Sequence, residues 1–254
     1  VIKGTVIQAS TIPPIKHDEA MAITEVENDR LGEVLADVTP EQWTLPTDCT
    51  RWDVRVVVVH LIASAEAQAS PAEMIKLTRA GPKLMAEIDG IYPVDGVNEA
   101  ALRARTHLTP AELSALWRSV TAKALRARQR IPAPIRALPL LRLAPKVWKP
   151  VGYLYDIGFT RDVWMHRVDL SRAIDRPFQA TTNHDGRIVA DIIAEWATTH
   201  TDPFCLKLTG PAGGNYVRDG FDHVAGIEMD AIECCRILSG RGEPVGVLHH
   251  PLLL

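Results

Sequence analysis

The sequence predicts a mostly α-helical N-terminal domain followed by a smaller α+β domain. Between residues 17 and 173, amphipathic stretches at helical period alternate with helix caps and breakers. From Asn183 onward the pattern changes to one capped helix, short alternating runs punctuated by glycine, and a last helix. The change falls near residue 180, so the domains are expected at 1–178 and 179–254, with no internal repeat and no low-complexity segment.

The 254 residues suffice for a buried core, and the net charge of −3 does not suit a chain built to coat nucleic acid. Cys49, Cys205, Cys234 and Cys235 form no CxxC pair and no disulfide framework, and they read as small core hydrophobes. That usage fits a reducing compartment. With no convincing signal peptide in VIKGTVIQASTIPP and no apolar run near the roughly 20 residues of a membrane span, a cytoplasmic protein is expected.

After Pro13–Pro14, the stretch HDEAMAITEVENDRLGEVLADV repeats Ala20, Ile23, Leu31 and Leu35 at near-helical intervals. Thr39–Pro40–Glu41 restarts a short turn, and Trp43 packs it down. Asp53 is placed to cap a second helix by accepting from Arg55 or Val56. The run Val56–Val59 would suit a buried strand, but its continuation LIASAEAQAS is rich in helix formers and decides for helix. His60 then sits mid-helix, either as a hydrogen-bonded core histidine or as a ligand. Residues 71–91 read as helix broken at Gly81–Pro82. Thr109, Pro110 and Glu112 make a capping box for a helix running to about Arg130, with Leu113, Leu116, Trp117 and Val120 as its buried stripe.

Residues 124–150 carry Arg126, Arg128, Arg130, Arg136, Arg142, Lys146 and Lys149 and no acid, and their prolines forbid a long helix past Arg130. This is either a long connection or a basic, apolar flap suited to an anionic substrate or a membrane surface. A helix from about Gly152 to Ala173 follows, with an irregular turn near Gly158, and Asp175–Arg176–Pro177 ends it. In the second domain, HDGRIVADIIAEWATTH is the helix, FCLKLTG, GNYVRDG and HVAGIEM are strands, and MDAIECCRILSGRG is the closing helix.

The chemistry concentrates in FTRDVWMHRVDLSRA. On a helix, Asp162 and His166 lie one turn apart, roughly 5–6 Å between Cβ atoms, a spacing at which carboxylate and imidazole can close on one metal ion. His60 is the best third ligand, and three protein ligands leave a position open, as in catalytic sites. Asp169, three residues past His166, could accept from an imidazole N–H, replace Asp162 as ligand, or pair with Arg172 or Arg167. Ser64 lacks a visible partner that would make it a nucleophile. GPAGG at 210–214 reads as a turn, and His249–His250 falls on a tail expected to be mobile and outside the site.

CTRWDVRVVVVHL, RDVWMHRVDLSRAIDRPF and MDAIECCRILSGRG, in that order, resemble three landmarks of the mycothiol-dependent maleylpyruvate isomerase family, within the DinB-like superfamily. The resemblance spans most of the chain. It implies a DinB-like four-helix bundle with a sterol-carrier-like C-terminal α+β domain. It also implies a divalent metal, often zinc, held at His60, Asp162 and His166, where the family's last-helix pair is typically Glu and His four apart. Asp162 is a departure, shorter by one methylene. A family arginine would fall at Arg236 or Arg241, and the thiol cofactor would be mycothiol or a similar molecule.

Two functional expectations follow. The first is a metal-dependent enzyme, isomerase or thiol S-transferase, taking a low-molecular-weight thiol and a small electrophilic, anionic substrate, as monomer or homodimer, with Arg236, Arg241 and Asp169 as catalytic candidates. The second is a non-catalytic DinB-like binding protein with weak or absent metal, its 124–150 flap serving a partner or a membrane. A hydrolase working through metal-bound water is chemically allowed, with Asp169 as its general base.

Overall fold

The computed structural model describes residues 5–88, 93–144, 147–218 and 224–252. The chain divides into two compact units: Lys16–Pro177, and a second made of residues up to Ile15 together with those from Phe178 on. Residues 5–15 thus join the C-terminal segment, because β1 (Val6–Gln8) is a strand of that unit's sheet.

The Lys16–Pro177 unit is built on α1 (His17–Ala36), α2 (Val54–Ala69), α3 (Pro71–Glu87), α4 (Pro93–Arg103) and α5 (Pro110–Gln129), then α6 (Ala133–Arg136), a hairpin of β2 (Leu141–Ala144) and β3 (Val147–Lys149), and α7 (Phe159–Ala173). Helices α1 and α2 each pack against both α5 and α7. α2 is helical through its valine run, and it buries Val54, Val57, Val58, Leu61 and Ile62 almost completely, as a helix apolar on all sides must. Asp53 caps it, accepting from the Val56 N–H at 2.8 Å. The expected capping box opens α5, with the Thr109 N–H donating to Glu112 Oε2 at 2.7 Å and the Glu112 N–H to Thr109 Oγ1 at 3.3 Å. Leu31, Trp117 and Leu170 share a core with the α2 valines, each contributing roughly 1.5–3 kcal/mol by leaving water.

Two local expectations need correction. Gly81–Pro82 does not break the helix: α3 runs through it to Glu87. Packing against α4 opposes the proline's local effect, and the two backbones are so close that a Cβ on Gly96 would lie 2.0 Å from the Gly81 carbonyl oxygen. Residues 124–150 are not simply a connection either, since they hold the end of α5, α6 and the β2–β3 hairpin, with Leu141 opposite Lys149 and Arg142 opposite Trp148. Lys146 lies outside the described residues. The irregular turn before α7 is a single π-helical stretch, Tyr153–Gly158.

In the other unit, α8 (Asp185–Trp196) is followed by β4 (Cys205–Thr209), β5 (Gly214–Val217), β6 (Ile227–Asp230) and α9 (Ala231–Leu238). The sheet order is β1-β5-β4-β6, with β1 parallel to β5, β4 antiparallel to β5, and β4 parallel to β6. GPAGG is the β4–β5 turn, where Gly210 has φ +83° and a Cβ on Gly213 would meet the Leu208 carbonyl oxygen at 2.1 Å. Asp230 caps α9 through the Ile232 and Glu233 N–H groups, and Gly240 at φ +79° follows its end. Residues 219–223, part of the second and third expected runs, lie outside the described residues. No described helix is long and apolar enough to cross a membrane.

Candidate metal centre

α2 and α7 bring His60, Asp162 and His166 together. Asp162 Oδ2 stands 3.2 Å from His60 Nε2, and Asp162 Oδ1 stands 3.5 Å from His166 Nε2. One donor atom from each residue falls within 4.8 Å of the other two. Both histidines are buried, whereas the Asp162 side chain is a quarter exposed. Zinc held tetrahedrally at roughly 2.0–2.2 Å sets its ligand atoms about 3.3 Å apart. The Asp162–imidazole separations of 3.2 and 3.5 Å are compatible with that spacing, and they are also within reach of direct contact between carboxylate and imidazole. Two imidazoles and a carboxylate suit zinc or a neighbouring first-row divalent ion better than calcium or magnesium.

The shell behind the donors orients them. Asp169 is fully buried and accepts from His166 Nδ1–H at 2.9 Å, which leaves Nε2 as the ring nitrogen facing Asp162. Of the arginines weighed as partners for Asp169, Arg167 pairs with Glu27, and Arg172 with Asp48 at 2.7 Å. Spacing alone did not disclose Cys49 and Trp52, which come from the loop before α2. The Cys49 thiol donates to Asp169 Oδ2 at 3.5 Å and lies 4.0 Å from His166 Nδ1. Trp52 covers both imidazoles, its ring centroid 5.0 Å from His60 and 6.0 Å from His166. The available signal was the short reach from Cys49 to the capping Asp53, which ties that loop to the start of α2.

α7 is held in register by charge and hydroxyl contacts. The buried Glu27–Arg167 pair joins it to α1. Arg128, at the end of α5, donates to Thr24 at 3.0 Å and Thr160 at 2.9 Å. Burial pulls the Arg128 guanidinium down to about 10, so it remains charged at neutral pH. Ser64 accepts from Gln68 at 3.1 Å. Arg236 and Arg241 belong to the other unit, where buried Arg236 donates to Glu233 Oε2 at 2.5 Å and to the Arg241 carbonyl at 2.9 Å.

A family model, the mycothiol maleylpyruvate isomerase N-terminal domain, matches residues 25–171. The chain belongs to this family. The matched mycothiol maleylpyruvate isomerase domain contains Cys49, His60, Asp162, His166 and Asp169 and stops short of Arg236 and Arg241. A solved structure of the mycothiol-dependent maleylpyruvate isomerase shares the fold at 17% identity and a TM-score of 0.60. A His-to-Ala mutant of that enzyme does so at 16% and 0.59, and each comparison covers 93% of this chain and 92% of the other. No curated protein matches by sequence.

Proposed function

We propose that the chain is a metal-dependent enzyme that uses a low-molecular-weight thiol of the mycothiol type. It acts as an isomerase or thiol S-transferase on a small, electrophilic, anionic substrate. The observation that carries this reading is the convergence of His60, Asp162 and His166 within the span matched by the family model. The pairwise packing of α1, α2, α5 and α7 supports reading the helical unit as a DinB-like four-helix bundle. We read the α+β unit as sterol-carrier-like.

In this reading His60, Asp162 and His166 hold a divalent ion, with zinc preferred by the donor set. Bound there, the ion supplies Lewis acidity that favours a thiol's deprotonated, nucleophilic form. The protein's own work is positioning. Asp169 holds the Nδ1 proton of His166, so that ring presents one lone pair in one direction. Asp162, the least buried member of the three, marks the side on which small molecules enter. Trp52 limits water on the imidazole faces.

The test is elemental analysis of purified protein, paired with thermal unfolding in the presence of mycothiol. Wild type should lose about one equivalent of divalent metal on His166→Ala, and thiol should raise its melting temperature only in the metal-loaded form. Metal retained in full by His166→Ala would overturn the ligand assignment. No thermal response to thiol by loaded wild type would overturn the cofactor.

A further inference from the structure

The histidine pair near the chain's end does not lie on a loose tail. Leu248 and Leu252 are buried, the Leu252 N–H donates to the Leu238 carbonyl at 2.8 Å, and Trp196 Nε1–H donates to the His250 carbonyl at 2.8 Å. These contacts lay the His250 ring on the His200 ring, with centroids 4.5 Å apart and planes within 3°. His200, just beyond α8, is only 9% exposed and also lies against Trp196 and Phe204. Neither of its ring nitrogens has a hydrogen-bond partner among the described residues. A buried imidazole with both nitrogens unanswered is costly, about 1–3 kcal/mol for each polar group left so. Asp202 completes the cluster, with Oδ2 3.0 Å from His250 Nε2. One donor atom from each of His200, Asp202 and His250 lies within 4.8 Å of the others.

We propose that His200, Asp202 and His250 form a second divalent-metal site, of the zinc class, within the α+β unit. Two imidazoles and one carboxylate select a borderline transition ion over calcium or magnesium. Asp202 supplies the cluster's negative charge, and the nearby Arg218 donates to the Ala197 and His200 carbonyls. Parallel rings offer their lone pairs side by side, so closure on one ion requires one ring to tilt and approach by about 1 Å. His250 makes that movement, because its side chain is 31% exposed whereas His200 is fixed among aromatic rings. A bound ion answers a nitrogen of His200 and staples the last turn of the chain to the loop after α8. This site is independent of the enzymatic reading.

The experiment is zinc titration of the full chain, by calorimetry and by elemental analysis after dialysis, in a His60→Ala/His166→Ala background that removes the other centre. The background should retain one equivalent of zinc. Adding His250→Ala or His200→Phe, the latter keeping an aromatic ring in the stack, should weaken binding at least about tenfold, since losing only an outer partner of a ligand costs roughly 10–100-fold. His249→Ala should leave binding unchanged, because its Nδ1 is engaged with the Gly246 carbonyl at 2.7 Å. In the otherwise wild-type chain, His250→Ala should lower zinc content by one equivalent, an arm that does not depend on the background folding. Three results overturn the site: no zinc in the background, which would leave water as the occupant; zinc retained by both His200→Phe and His250→Ala; or zinc lost in His249→Ala but kept in His200→Phe, which would place the ion on the surface tail.

Discussion

The two histidine clusters have the same composition, two imidazoles and an aspartate, but opposite supporting structures. In the helical unit the donors stand on α2 and α7, and Asp169 already fixes the tautomer of His166 at 2.9 Å. In the α+β unit the donors come from a loop and the final described segment, and both His200 nitrogens are unanswered among the described residues. The first is preorganised, so the affinity of the proposed site should depend on residues that would never touch the ion. In the second, the ion would supply the order that the first obtains from its protein scaffold.

Asp169 gives the sharpest break in that comparison. Asp169→Ala should weaken metal binding at the helical centre by roughly 10–100-fold, and Asp169→Asn, which retains an acceptor, should recover part of the loss. Competition with a chelator would measure both. Zinc at the His200 cluster should not change in either variant. If Asp169→Ala binds as wild type, the preorganisation argument fails for the first cluster.

A smaller effect is expected at Asp162, where the chain departs from the glutamate typical of the family it resembles. Asp162 Oδ2 stands 3.2 Å from His60 Nε2 and Oδ1 3.5 Å from His166 Nε2, so in the proposed site the shorter side chain would reach an ion without a bridging water. Lengthening it overfills the site, and overpacking typically costs 1–3 kcal/mol. Asp162→Glu should therefore weaken metal binding about tenfold rather than improve it. Tighter binding by the glutamate would mean that the two helices separate to accommodate the ion.

How much of this was legible in the sequence depended on the range over which each feature is encoded. The juxtaposition of Asp162 with His166 is a local consequence of helical spacing, and the caps at Asp53 and Thr109 are encoded within four residues. The strand Val6–Gln8 was not readable, because its partner is Asn215–Val217 at the far end of the chain. The helix through Pro82 was misread for a related reason: a local breaker was overruled by contact with α4, which the local pattern does not contain. Cys49 was read as a core hydrophobe by composition, although only Cys205, Cys234 and Cys235 are buried. His250 was set aside as mobile because the burial of Leu248 and Leu252, which holds it, is tertiary.

Cys49 provides the smallest effect, and the one most easily measured. Its thiol reaches Asp169 at 3.5 Å from a half-buried loop, whereas Cys234 is sealed and burial pushes its thiol up to about 12. A thiolate is the reacting form, so a raised thiol value and burial both suppress alkylation. Iodoacetamide on the folded protein should label Cys49 first, with Cys205, Cys234 and Cys235 following only on unfolding. Mass spectrometry of the native and denatured protein would read this directly. Cys49→Ser preserves a donor to Asp169, so metal affinity should change by less than about threefold, within the usual range for a substitution that breaks no buried network. A larger loss would make the thiol a ligand through the Cys49, His166 and Asp169 grouping, whose donor atoms also lie within 4.8 Å of one another. In that case His166 would face its ion through Nδ1 instead of Nε2, and Asp169 would move from orienting the centre to binding in it.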